Sequence, residues 1–193
     1  MANDYKFFAF MSRMRYIDRW SLMRNTVKEN NAEHSLMVSM IAHALAEIEN
    51  TLYGGNYDAC KIGMIGAYHE VSEVITGDLP TPIKYFSSEM RDAFKSVESV
   101  ARKQIVDTLP DDFKPAYDGL INATDEEYRL VKYADKITAY IKCVEELSSG
   151  NKEFKEAQKA IEKELKAYGS KSVNYFLDNF VGAFSQTLDK LSQ

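Results

Sequence analysis

Hydrophobic positions recur every three to four residues along nearly the whole chain, and alternating runs of β-branched residues are scarce, so the pattern predicts helices throughout. The spacing predicts a first helix over 5–17 and a second over 33–52, where Met37, Met40, Ile41, Ala44, Leu45 and Ile48 form a broad apolar stripe. Gly54-Gly55-Asn56 ends the second, as glycines do past a helix C-terminus. A third helix over 58–75 carries Ala59, Gly63, Gly66 and Ala67, small residues that let a neighbouring backbone approach closely. Gly77-Asp78-Leu79-Pro80-Thr81-Pro82 then breaks the pattern, because each proline enforces extended backbone on itself and on the residue before it. Further helices are predicted over 87–108, 110–121, 124–148, 152–167 and 172–191. Thr124 with Glu127 reads as a capping box opening the longest of these, and Ser149-Gly150-Asn151 closes it. The expectation is a single all-α domain over 1–193, a bundle of about seven or eight helices.

Composition narrows the function classes. A 193-residue chain can bury about 70% of the surface its unfolded form exposes, so no disulfide framework is needed. Hydrophobic content of 45% with only four prolines excludes a disordered or collagen-like chain. A net charge of −5 argues against nucleic acid or an anionic membrane as partner, although a few local cations or a metal ion would still admit a small phosphate ligand. No run approaches the ~20 apolar residues of a membrane span, and the N-terminus lacks a sorting signal, so a cytoplasmic protein is expected. Cys60 and Cys143 lie in helical patterns far from any metal-binding spacing and read as buried, reduced thiols.

The three histidines can be weighed singly. His34 shares a helical face with Met37 and Ile41, and so points towards the core. His43, nine residues on, falls on the opposite face and reads as structural or surface. His69 follows Ile62 and Ile65 at core spacing, with Glu70 beside it and Glu73 one turn away. Asp135 lies beside Val131 and Thr138 at the edge of an apolar stripe. A core-facing histidine is usually a hydrogen-bonded core residue, and a His beside an acid is common as a surface pair. Two imidazoles and two carboxylates from three helices would nevertheless suit one divalent cation with positions left open.

These residues carry a resemblance. Ala32-Glu33-His34-Ser35, then Tyr68-His69-Glu70-Val71-Ser72-Glu73, then Ala134-Asp135 resemble the H…HD…D signature of the HD-domain phosphohydrolases. Ile17-Asp18-Arg19-Trp20, Met23-Arg24-Asn25, Glu29-Asn30, the Gly77–Pro82 turn, Lys84-Tyr85-Phe86 and Tyr140–Leu147 are similar to the bacterial 5′-deoxynucleotidase subfamily, YfbR type, over about residues 5 to 155. The resemblance implies that His34, His69, Glu70 and Asp135 hold one divalent metal such as cobalt, manganese or zinc. It implies catalysis by Glu73, in proton transfer, with Arg19 and Trp20 on the substrate phosphate. Asp78, Leu79, Pro80 and Thr81, with Glu70 and Asp135, would contact a deoxynucleoside 5′-monophosphate. A homodimer is implied as well. Val173, Phe176, Leu177, Phe180, Phe184 and Leu188 on the predicted last helix offer apolar surface for the body or a partner.

One position departs from the signature: Glu70 stands where the family has aspartate, placing the carboxylate about 1.5 Å further out. Three outcomes are open: a helix shift restores ligation, the preferred metal changes, or turnover is weakened in a nucleotide-binding protein; retained ligation is the favoured expectation. A triphosphohydrolase is the alternative reaction. It should need several further cations near the metal, and Arg13, Arg24 and Lys84 are few and scattered for that role. A plain helical interaction domain would bind no metal.

Overall fold

The structure, a computed structural model, describes residues 4–80, 83 and 86–193. A short helix α1 (Phe7–Met11) runs on into a 3-10 turn over Ser12–Tyr16. Then come α2 (Asn31–Leu52), α3 (Ala59–Tyr68), α4 (Glu73–Thr76), α5 (Ser88–Val106), α6 (Lys114–Ile121) and α7 (Asp125–Ser148). After a 3-10 turn over Lys152–Phe154 follow α8 (Lys155–Ala167), α9 (Lys171–Asn179), a 3-10 stretch over Val181–Ser185, and α10 (Leu188–Leu191). The sole extended pairing among the described residues is an isolated antiparallel bridge between Asp18 and Asn30. The chain is all-α, as its periodicity predicts.

Helix α2 packs along α3 and across α7, and α7 packs on α8. Val38, Ile41, Leu45, Ile62, Ile65, Leu130, Val131, Ile137, Leu165 and Val173 close the core these helices share. A smaller core under α1 gathers Phe7, Val71, Ile105, Val106, Leu109 and Ile121. The small residues of α3 do what their spacing suggests. A Cβ on Gly66 would lie 2.9 Å from Ser39 Cα, a backbone atom that cannot move aside. Gly66→Ala should therefore force α2 and α3 apart and lower stability by about 1–3 kcal/mol, read by urea unfolding.

The structure corrects several expected boundaries. The helix expected over 58–75 stops at Tyr68; Val71 N, Glu73 N and Val74 N bond three residues back in a tight turn before α4. Val71, Val74, Ile75 and Thr76 are all β-branched and favour helix weakly, so nothing local resists that break. The first helix gives way to 3-10 geometry at Ser12, and the one expected from 110 begins at Lys114. The helix expected over 172–191 breaks after Asn179, where Gly182 and the following Gln186-Thr187 offer little helical support. Of its apolar residues, Val173 and Phe176 are buried, whereas Phe180 and Leu188 are exposed. Cys143 is buried as expected, but Cys60 is exposed, because it falls on the outer side of the first turn of α3. Met40 likewise leaves the apolar stripe of α2 and faces solvent.

Candidate active site

Three elements bring the chemistry together. Asn30 caps α2, accepting from Ala32 N and Glu33 N while the Glu33 carboxylate accepts from Asn30 N. That box sets the first turn of the helix and leaves His34 fully buried. The break after α3 turns His69 and Glu70 inward, and α7 brings in Asp135. His34 Nε2 lies 3.0 Å from Asp135 Oδ1, His69 Nε2 lies 3.4 Å from Glu70 Oε1 and 4.0 Å from Asp135 Oδ1, and the two rings are 5.3 Å apart. One ligand atom from each of His34, His69, Glu70 and Asp135 lies within 4.8 Å of the other three.

The donor set fits a metal ion. His69 Nδ1–H donates to Gly66 O at 2.7 Å, which aims Nε2, buried with no hydrogen-bond partner, at the cluster. Burial opposes charge on the ring, but Glu70 and Asp135 raise its imidazole above the usual range, so a bound cation would take the place of a proton there. Holding one ring nitrogen by a carbonyl so that the other can ligate is how proteins set a metal-binding tautomer. Burial and the Arg19 charge both hold His34 below the usual imidazole range, in the neutral form a ligand requires. Burial works to raise the Asp135 carboxyl, but its hydrogen bond with His34 and the surrounding positive charge hold it at about 2. Glu70 behaves alike: burial opposes its charge, yet His69 and Arg19 keep its carboxyl well below the usual range. The extra methylene of Glu70 does not swing its carboxylate away from the cluster, since Oε1 faces both His69 and Arg19.

Glu73 is the opposite case. It is buried, and desolvation with the adjacent Glu70 charge pushes its carboxyl up to about 10, so it holds a proton at neutral pH. Asn31 Nδ2 donates to Glu73 Oε2 at 2.5 Å and leaves Oε1 to carry that proton. Two neighbouring carboxyls with affinities driven apart are what proton-transfer chemistry needs.

Arg19 and Trp20 arrive on the segment between the first 3-10 turn and α2. Arg19 NH1 is 3.6 Å from Glu70, and NH2 is 4.0 Å from Asp135. Trp20 adopts left-handed backbone, φ 54°, a conformation that costs a residue with a side chain about 1–3 kcal/mol. Glu29 joins these groups: it accepts from Trp20 Nε1 at 3.2 Å, pairs with Arg19 Nε at 3.4 Å and lies 4.0 Å from His34 Nδ1. Glu29 and Asn31 contact the site residues, and helical periodicity did not single them out. The local signal for them is the polar run Glu29-Asn30-Asn31 just before an apolar helix, of which Glu29-Asn30 also belongs to the resemblance.

A cavity of about 490 Å³ opens over Arg19, Trp20, Glu70, Glu73 and Asp135. Asp78, Leu79 and Pro80 form one wall, and Leu22, Met23, Ala157, Ala160 and Ile161 contribute an apolar lining. Its volume lies within the range of small-molecule sites. Thr81, expected on the first wall, lies outside the described residues, as do Pro82, Lys84 and Tyr85. His43 stands apart, exposed and 3.9 Å from Glu47, in keeping with its reading as a surface residue.

This helical frame around a His/Glu/Asp cluster is that of the HD-domain phosphohydrolases. An HD-domain phosphohydrolase from Listeria innocua superposes with a TM-score of 0.80 over 97% of this chain and 92% of its own, at 24% identity. A cyanophage S-2L HD phosphohydrolase, DatZ, solved with dA and one catalytic Zn²⁺, shares the fold at a TM-score of 0.52 and 20% identity, over 70% of this chain and 69% of its own. The chain belongs to the 5′-deoxynucleotidase YfbR-like family, whose sequence model matches residues 6–184. The 5′-deoxynucleotidase YfbR of Shigella boydii is 47% identical over 190 residues, covering 97% of this chain and 96% of that one.

Proposed function

We propose that the protein is a divalent-metal-dependent 5′-deoxynucleotidase that hydrolyses deoxynucleoside 5′-monophosphates to deoxynucleoside and inorganic phosphate. The observation that carries this reading is the meeting of four ligand atoms within 4.8 Å of one another beneath a cavity floored also by Arg19 and Glu73. His34, His69, Glu70 and Asp135 would hold one cation (zinc, cobalt or manganese), which supplies Lewis acidity towards a phosphoryl oxygen and water when bound. The guanidinium of Arg19 binds the phosphoryl oxygens and stabilises the charge that builds on them. The indole of Trp20 bonds Glu29, which also pairs with Arg19, so the two carboxylate contacts orient the guanidinium. As a water oxygen attacks phosphorus and the bond to the 5′-oxygen on the opposite side breaks, Glu73 works in proton transfer at the attacking water. Oε1 takes up the water's proton as the proton it already holds passes to a phosphoryl oxygen, and the departing 5′-oxygen is protonated from solvent. Asp78, Leu79, Pro80 and Thr81 are assigned to the nucleoside, the prolyl wall excluding a ribose 2′-hydroxyl by contact.

A monophosphate is favoured over a triphosphate by the scarcity of free positive charge. Lysine and arginine at the cavity are limited, among the described residues, to Arg19 and Lys136, and Lys136 is paired with Glu164 at 3.0 Å. Arg24 pairs with Glu153 instead. We place the whole chain, 1–193, in one catalytic domain, acting in the cytoplasm as a homodimer; the family resemblance supports the dimer, and the exposed Phe180 and Leu188 offer apolar surface for a partner.

The direct test is phosphate release from dAMP, dGMP, dCMP and TMP with cobalt, manganese or zinc. Turnover should vanish with chelator and fall about 100-fold or more with AMP. Absence of turnover with every metal, in folded protein that binds one, overturns the reading. Orthophosphate rather than triphosphate should be the product if dATP is cleaved at all. Glu70→Asp decides how the unusual ligand is used. The shorter side chain draws its carboxylate back by about 1.5 Å, so turnover and zinc affinity should both fall about 10–100-fold. A rise in turnover would instead mark Glu70 as the residue that weakens catalysis.

A further inference from the structure

The segment bearing Arg19 and Trp20 is closed at its neck by its own backbone, with Arg19 N bonded to Glu29 O at 2.9 Å and Asn31 N to Ile17 O at 3.0 Å. Its tip has no core of its own, and Val27 is 68% exposed. The tip is gripped by α7 instead. Glu146, 2% exposed, accepts from Thr26 N at 2.9 Å and Val27 N at 3.2 Å. Lys142, 6% exposed, donates to Val27 O and to Glu146 Oε1, each at 2.5 Å. Asn151 Nδ2 completes the grip, donating to Arg24 O at 2.7 Å and Glu146 Oε2 at 2.8 Å.

A buried ion pair is a poor source of stability, since an apolar pair of similar volume often packs as well or better. This pair supplies direction instead. Its donors and acceptors are matched to the backbone groups of Thr26 and Val27, and a slipped loop would leave them unmet at a cost. Burial works to raise the Glu146 carboxyl, but the bonds from Lys142, Asn151 and Thr26 hold it at about 2, so the anion is present at neutral pH. Asp135, Lys142 and Glu146 are spaced by seven and four residues and share one face of α7. The stripe that presents Asp135 to the cluster therefore grips the loop about 10–17 Å further along the same rigid helix.

We infer that Lys142 and Glu146 are positioning residues, a buried pair that, with Asn151 on Arg24 O, fixes the backbone at Thr26 and Val27 and through it sets Arg19 and Trp20 over the His34/His69/Glu70/Asp135 cluster. The catalytic consequence rests on the function proposed above; the structural claim does not. Trp20 is the one tryptophan of the chain, so its fluorescence reports on the segment directly.

The experiment compares Glu146→Gln, Asn151→Ala and the exposed neighbour Glu145→Gln with the unaltered protein. It reads acrylamide quenching, far-UV circular dichroism, zinc affinity, and kcat and KM with dAMP. In Glu146→Gln the quenching constant should rise about twofold or more, and kcat/KM should fall about 10–100-fold, mostly through KM, with zinc affinity within about threefold. Asn151→Ala should show a smaller rise in quenching, and Glu145→Gln none. Unchanged quenching and KM in folded Glu146→Gln would overturn the inference, as would an equal rise in Glu145→Gln. If Glu146→Gln does not fold, Asn151→Ala decides, with unchanged quenching counting against the grip. If the unaltered protein releases no phosphate, the proposed function falls, and quenching still decides this inference.

Discussion

Replacing Asp135 by Asn is expected to abolish phosphate release, lowering it by at least about three orders of magnitude, and to strip the protein of its divalent cation, with zinc as the ion followed. Three orders correspond to about 4 kcal/mol of transition-state stabilisation. The expectation follows from the place of one oxygen. Asp135 Oδ1 is the atom that His34, His69 and Arg19 all approach, at 3.0, 4.0 and 4.0 Å. Asparagine keeps the shape but removes the negative charge, leaving two imidazoles and one carboxylate to hold a dication. Elemental analysis of protein purified without chelator, beside a phosphate assay, checks both halves. The fold should survive, because Asp135 sits at the cavity rather than in the core. Full zinc content and near-normal turnover in this variant would remove position 135 from the ligand set.

Glu73→Gln separates proton transfer from metal binding. The side chain accepts from Asn31 Nδ2 through Oε2, a bond that a glutamine carbonyl can keep. What glutamine cannot do is give up and regain a proton. A positioned acid–base group contributes about 10²–10⁴-fold, so kcat should fall by that factor while KM and zinc content stay close to those of the unaltered protein. Loss of zinc along with activity would instead place Glu73 among the ligands. An unchanged kcat with unchanged zinc content would remove Glu73 from proton transfer. Together the two substitutions distinguish a group that holds the cation from one that moves a proton beside it.

Much of the frame was legible from local pattern. The helix opened by Thr124 and Glu127 appears with that capping box intact and ends at Ser148. The apolar side of α2 and the close approach at Gly66 also follow from spacing alone, because both depend on residues within a few turns of one another. The ligand set was legible in a weaker sense. Helical faces put His34, His69 and Asp135 towards the interior, but only the resemblance joined them into one site, and only the folded chain shows Glu70 Oε1 beside His69 Nε2 at 3.4 Å.

The rest was decided by tertiary contacts. The break after Tyr68 is a case in point: periodicity ran through it, yet the turn is what points Glu70 and Glu73 into the same cavity. Glu29 was named only among the marks of the resemblance, with no role given to it, and the folded chain shows it joining Arg19, Trp20 and His34. Lys142 and Glu146, which entered the sequence reading only within the Tyr140–Leu147 stretch that carries the resemblance, grip a loop more than a hundred residues earlier in the chain. Composition and periodicity by themselves determined that this chain forms helices, where its longest ones begin and end, and which faces they bury. Those outcomes depend on capping and side-chain spacing within a few turns. Which charges ended up buried together, and which backbone they hold, was decided by the tertiary structure, because such bonds join groups whose separation along the chain leaves no periodic trace.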